Sequence, residues 1–300
     1  MAQEPDFLAN SVIVAAHPDD ELLWFSSILK DVDQAIIVYC DFWAQPQLGA
    51  ARRRAMADYP RGGVTSLAIA ESGAIGCANW PAPRPSPYGV TLGLEASRRE
   101  MTRLARLCLS SLGAATNVAE DSVAKMYQNN FGAIYDRLKD RLASDMNVFT
   151  HNPWGEYGHE EHIQVFRVLN KLRNEIGFKL WMSNYCTDRS LALAMHYFEA
   201  APGPYVRRRT DKNFADAVAA VYRRHDCWTW ADDWSWFDEE CFMEAPRSEG
   251  PVRPHHHLFP INFFTIDAER PALTPSEPVY PHAAAGQDDE QGSASTLPGG

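Results

Sequence analysis

The chain has 300 residues, 45% of them hydrophobic and 22% charged, with a formal net charge of -11. That apolar share supplies one large core and excludes an extended or fibrous chain. So acidic a balance repels phosphate and argues against a general nucleic-acid or anionic-membrane binder.

Cys40, Cys77, Cys108, Cys186, Cys227 and Cys241 include no C-x-x-C pair. They read as reduced, mostly buried thiols rather than a disulfide framework. Met1 to Asn10 is acidic and short of apolar residues, unlike a secretory leader. No run approaches the ~18 apolar residues of a membrane span. The expected location is the cytoplasm. The basic triplets Arg52 to Arg54 and Arg207 to Arg209 read as solvated faces.

In chain order, Ser11 to Ala16 is an apolar, β-branched run, as expected of a strand buried on both faces. Glu21 to Lys30 reads as a helix with acids in its first turn. Ala35 to Cys40 is a second buried strand, Gln47 to Asp58 a helix, and Ser66 to Ala70 a strand. Residues 74 to 93 carry alternating prolines at Pro81, Pro83, Pro85 and Pro87, which no helix or central strand accommodates, so a long loop is expected. Helices follow over Leu94 to Leu112 and Gln128 to Ala143. Asn147 to His151 reads as a strand, Glu160 to Arg173 as a helix with an apolar stripe, Leu180 to Asn184 as a strand, and Asp211 to Arg224 as the last clear helix. Alternating strands and helices predict an α/β fold: a Rossmann-like, mostly parallel sheet with helices on both faces, plus a smaller irregular C-terminal part. One domain is expected over residues 1–267. From 268 to 300 the composition turns to Pro, Ala, Gly, Ser and acids, and predicts a disordered tail.

Two motifs carry chemistry. His17-Pro18-Asp19-Asp20-Glu21 stands at the carboxyl end of the first strand, where open α/β sheets gather ligands. An imidazole beside two carboxylates is costly to hold together without a cation. His17 and Asp20 can converge on one ion across a turn. Asp19 then points elsewhere, placed as a general base beside metal-activated water. The second motif runs from Thr150 through His151, Trp154, Glu156 and Tyr157 to His159-Glu160-Glu161-His162, again after a strand. His159 and His162 share one helix face. One of them can complete a three-ligand site with an open position, and the other can protonate a leaving amine. Taken singly, each motif also has a structural reading: a capped turn, or a helical histidine pair. Their joint occurrence at two strand ends favours the metal reading.

Together the strings Ala-His-Pro-Asp-Asp-Glu21 and Thr-His-Asn-Pro-Trp-Gly-Glu-Tyr-Gly-His-Glu-Glu-His162 resemble the LmbE-like (PIG-L) deacetylase family, over roughly residues 11 to 225. The resemblance implies a Rossmann-like fold and zinc-dependent removal of an N-acetyl group from a glucosamine unit. By position it implies His17, Asp20 and His162 as metal ligands and Asp19 as the base. His159 corresponds to the histidine that stabilises the transition state or protonates the amine, and Tyr157 to an oxyanion partner. The chain departs from many relatives at Leu22-Leu23-Trp24-Phe25, which is bulkier, and at Asp41-Phe42-Trp43, where Asp41 keeps a substrate position. Arg98 or Arg99 corresponds to an arginine that contacts substrate or supports the site.

Four tryptophans, Trp228, Trp230, Trp234 and Trp236, alternate near the C-terminus. Such rings either line a cleft, with Trp228 and Trp230 contacting substrate, or fill the core of the last layer. The family resemblance places His225 where relatives have a histidine near the end of the last helix, and so implies an approach to the site; His255 to His257 reads as a surface tract. The expected activity is removal of an N-acyl group, in the first place acetyl, from an amino-sugar-containing small molecule, a glycolipid or a secondary-metabolite glycoside. The expected ion is Zn2+, with Fe2+ or Co2+ also suited to these ligands. The competing readings are an amidase of the same family acting on a thiol conjugate or another acyl amide, and a non-catalytic metal- or glycan-binding protein. Oligomeric state is not legible in the sequence.

Overall fold

The computed structural model describes residues 7–111, 121–198, 205–231, 234–245, 260–266 and 281–282. The elements in chain order are β1 (Ser11–Ala15), α1 (Asp20–Leu23), β2 (Gln34–Phe42), α2 (Pro46–Ala57), β3 (Val64–Glu71), β4 (Pro85–Ser86), β5 (Gly89–Val90), α3 (Leu94–Ser111), α4 (Val123–Leu138), β6 (Asn147–Thr150), α5 (Glu160–Ile176), β7 (Lys179–Met182), β8 (Tyr185–Cys186), α6 (Asp188–Phe198), β9 (Tyr205–Arg209), α7 (Lys212–Arg224), β10 (Glu239–Glu244), β11 (Asn262–Phe263), β12 (Thr265–Ile266) and β13 (Pro281–His282).

Seven strands form the main sheet in the order β3-β2-β1-β6-β7-β10-β9. The pairs β1–β2, β1–β6, β2–β3 and β6–β7 are parallel, and β10 runs antiparallel to both neighbours. The expected α/β fold with a mostly parallel sheet is therefore present. Side chains of β1 alternate across the sheet. Val12 and Val14 join one core with Ile134, Leu138, Phe166 and Leu169 of α4 and α5. Ile13 and Ala15 join the other with Trp24, Phe25, Val218 and Tyr222. The strand order reverses between β1 and β6, and the loops leaving their carboxyl ends carry the two histidine motifs, as the ligand rule for open sheets requires.

Three expectations need correction. The segment from Glu21 to Lys30 is not one helix: α1 is a single turn, and the chain continues through turns to residue 32. The reason is burial on all sides. Residues 21–29 are buried throughout, and the amides of Ser26 and Ser27 donate to the Glu240 carboxylate at 3.2 and 2.8 Å rather than to a helical ladder. The helix expected over Gln128 to Ala143 starts earlier, because the Ser122 hydroxyl accepts from Lys125 N–H and caps it. Arg52 is buried, not solvated. Helix α6 and the sheet strands β9 and β10 escaped the pattern reading altogether.

All six cysteines are free, and all but Cys108 are buried. Among the described residues, no helix is long and apolar enough to cross a membrane. The His255 to His257 tract, and the tail from 268 apart from 281–282, lie outside the described residues.

Candidate metal centre

The backbone reversal after β1 builds the first half of the site. Asp19 has φ 104°, a conformation costly for a residue bearing a Cβ and typical of functional sites. Its N–H donates to Glu21 Oε2 at 3.0 Å, and Glu21 is itself held by the hydroxyls of Tyr59 and Tyr222. This turn sends the adjacent carboxylates apart. Asp20 Oδ2 accepts from the His17 N–H at 2.8 Å and lies 3.0 Å from His17 Nδ1. Asp19 Oδ2 instead accepts from the Thr229 hydroxyl at 2.6 Å.

The loop after β6 builds the second half. Gly155 has φ 68°, and a Cβ there would lie 2.6 Å from the His159 carbonyl oxygen, so this tight return requires glycine. His159 caps α5, its Nδ1 accepting from Glu161 N–H at 3.1 Å. Three residues beyond His159, His162 Nε2 stands 3.1 Å from Asp20 Oδ2. That approach lacks hydrogen-bond geometry, and the buried Nε2 has no hydrogen-bond partner.

These positions suit a cation. One oxygen, Asp20 Oδ2, lies about equally far from His17 Nδ1 and His162 Nε2. The far nitrogen of each ring meets a buried carboxylate: His17 Nε2 and Glu161 Oε2 at 3.0 Å, His162 Nδ1 and Glu156 Oε2 at 2.7 Å. Metal-ligating histidines usually donate their second N–H in this way, which turns the other lone pair toward the ion. The orphaned His162 Nε2 would then gain the partner it lacks.

Among the described residues, three sets have ligand atoms within 4.8 Å of one another: His17, His159 and His162; Asp20, His151 and His162; and His17, Glu71 and Glu161. The expected trio of His17, Asp20 and His162 is spread over the first two sets. Hydrogen bonding narrows the choice. His151 Nε2 accepts the Ala16 N–H at 2.8 Å, and its Nδ1 meets Glu156 at 2.9 Å. A neutral imidazole has one acceptor nitrogen, so His151 has none left for a metal. Glu71 is engaged by the Arg52 guanidinium. His159 Nδ1 is occupied by the Glu161 amide.

Electrostatics follow from this crowding. Burial opposes charge on His17, but Glu71, Asp20 and Glu161 outweigh it and hold its pKa at about 10. A cation binding beside Nδ1 must therefore displace a proton. Burial would raise Asp20, yet His162 and His17 keep it well below the ordinary carboxylate range. Burial and the Asp20 charge push Asp19 up to about 8, against the Thr229 hydroxyl and Arg52. Burial, with His162 and His17 nearby, keeps His159 well below its ordinary value and so neutral.

A cavity of about 100 Å³ opens on His17, Asp19, Asp20, Tyr157 and His159. Arg52 and Glu71 also line it, and Phe42, Leu48, Ile75 and Trp230 form an apolar wall. His162 is fully buried. The other expected substrate contacts lie elsewhere among the described residues. Asp41 pairs with Arg53 at an exposed position. Arg98 pairs with Glu95 on the exposed face of α3, and the Arg99 guanidinium lies near Gly76. Trp228, half-buried, carries the Arg223 guanidinium over its ring at 4.8 Å. His225 pairs with Asp58 at 2.7 Å rather than approaching the site. The sequence reading missed Glu156 and Glu161 as carboxylate partners, although both sit inside the second motif. It also missed Arg52, Glu71 and Thr229, for which no spacing signal existed.

Comparison of the chain with models of known protein families gives no match, and comparison with curated proteins gives none either.

Proposed function

We propose that this chain is a divalent-metal-dependent hydrolase that cleaves an N-acyl amide, with the N-acetyl group of an amino-sugar-containing molecule as substrate and zinc as the ion. The observation that carries the reading is the pair of imidazole nitrogens flanking Asp20 Oδ2, each ring backed by a buried carboxylate, with Asp19 beside them and committed to neither histidine. Two histidines and an aspartate suit Zn2+, and also Fe2+ or Co2+. The resemblance of the two motifs to LmbE-like deacetylases supplies the amino sugar.

Cavity size supports a short acyl group. The cavity of about 100 Å³ beside His17, Asp19 and His159 admits an acetamido unit. The remainder of the substrate then rests against the apolar wall.

His17, Asp20 and His162 would hold the ion, which when bound supplies Lewis acidity to an amide oxygen and lowers the pKa of water. Asp19, held through Oδ2 by Thr229 and bonded to neither histidine, accepts a proton from the attacking water. Neutral His159, whose Nδ1 is occupied, carries its proton on Nε2 and donates a hydrogen bond there, while the proton taken up by Asp19 passes to the departing amine as the C–N bond breaks. Tyr157 lines the same cavity, and its hydroxyl is available to the tetrahedral oxyanion.

The test is mass spectrometry of N-acetylglucosamine compounds, antibiotic glycosides and acylated thiol conjugates incubated with the metal-loaded protein. The reading predicts acetate and free amine from an N-acetylamino sugar, lost on chelation. Turnover of thiol conjugates alone would move the substrate class. A protein that binds metal and turns over none of the panel would be a binding protein.

A further inference from the structure

We infer that Thr229 is a positioning residue for Asp19, fixing which carboxylate oxygen faces the attacking water. This rests on the reading of Asp19 as the base. The backbone of Asp19 is in the left-handed region, where a residue with a Cβ is held only by its surroundings. Its N–H is taken by Glu21 Oε2 at 3.0 Å, and its carbonyl accepts from Leu22 and Leu23 N–H at 3.0 and 2.9 Å. The side chain is tied from a different part of the fold: the Thr229 hydroxyl donates to Oδ2 at 2.6 Å, across 210 residues of sequence. Threonine is stiff about χ1, so the hydroxyl defines one direction. With Oδ2 engaged, Oδ1 is the oxygen left to take a proton in the cavity that both residues line.

Thr229 is itself held by its neighbour. Trp230 packs edge-on against Trp24, Tyr157 and Trp234 with ring centroids 5.0, 5.3 and 5.1 Å apart. Trp24 in turn donates its indole N–H to Asp20 Oδ1 at 2.8 Å. One aromatic cluster thus sets both neighbouring carboxylates, Asp20 through Trp24 and Asp19 through the residue preceding Trp230. Arg52 and Glu21 also act on Asp19 through their charges, but neither side chain fixes the carboxylate rotamer.

The test compares wild type, Thr229→Val, Thr229→Ser and Asp19→Ala, all metal-loaded, on the substrate the wild type turns over, with metal content measured for each. A displacement of about 1 Å in a catalytic group costs on the order of 100-fold, so Thr229→Val should lose between about tenfold and 100-fold in kcat. KM and metal content should stay at wild-type levels, and a crystal structure of the variant should show the Asp19 carboxylate rotated. Thr229→Ser should restore most of kcat. Wild-type kcat in Thr229→Val, with Asp19→Ala inactive, overturns the proposal and leaves the hydrolase reading standing. Failure of Thr229→Ser to recover activity while it folds and binds metal also overturns it. Equal turnover by wild type and Asp19→Ala removes the base assignment, and the proposal with it.

Discussion

The indole N–H of Trp24 donates to Asp20 Oδ1 at 2.8 Å while the other oxygen of the same carboxylate faces His17 and His162. A fully buried tryptophan thereby orients the carboxylate proposed to bind the ion. Residues that hydrogen-bond to metal ligands are worth about 10- to 100-fold in affinity. Trp24→Phe keeps the ring and removes the donor. It should weaken metal binding by about tenfold, as read by competition with a chromogenic chelator; unchanged affinity would separate Trp24 from the centre.

Glu156 ties the two histidines of the second motif together. Its Oε2 lies 2.9 Å from His151 Nδ1 and 2.7 Å from His162 Nδ1, and its Oε1 accepts from Asn152 N–H and the Ser183 hydroxyl. Burial opposes its charge, yet His151 and His162 hold its pKa at about 2. Glu156→Gln places an amide donor against donors that already point at it. Metal affinity should fall about 10- to 100-fold, and the metal-free protein should melt earlier in calorimetry.

Arg52 and Glu71 are both buried and paired beside the cavity. Removing one member of a buried pair costs about 3–5 kcal/mol, whereas replacing both with apolar groups is often neutral. Arg52→Met should therefore destabilise strongly in urea unfolding. The double variant Arg52→Met/Glu71→Met should recover most of that loss, whatever it does to turnover.

Glu240 gives a pH dependence remote from the centre. Burial raises it above its ordinary 4.5, against hydrogen bonds from Ser27, Tyr185 and Ser26. Between 4.5 and the higher folded value, the folded chain holds a proton that the unfolded chain has lost. Stability from this group is thus full below 4.5 and falls as pH rises through the folded value. Unfolding free energies across that window should decline less steeply in Glu240→Gln than in wild type.

The fold and the two histidine motifs of the candidate site were legible in the sequence because they depend on local pattern. Val12 to Ala15 reads as a buried strand, and His17, Asp20, His159 and His162 sit at fixed short spacings after strand ends. The helix expected over Glu21 to Lys30 failed because its amides are claimed by Glu240, more than 200 residues away in the chain. Trp230 meets both readings offered for the tryptophans, lining the cavity and packing against Trp24, while Trp228 stands outside it. Thr229 was invisible because nothing in its neighbourhood announces a contact with Asp19. Arg52, on α2, looked like surface charge because its partner Glu71 lies on a different element, at the end of β3.

The central claim is that His17, Asp20 and His162 bind one ion while Asp19 works beside it without binding it. Elemental analysis and acetate release, measured together on wild type, Asp19→Ala and His162→Ala, test this most directly. The account predicts one metal per chain in wild type and Asp19→Ala, little in His162→Ala, and turnover in wild type alone. Metal retained by His162→Ala, or near-wild-type turnover by Asp19→Ala, would contradict it.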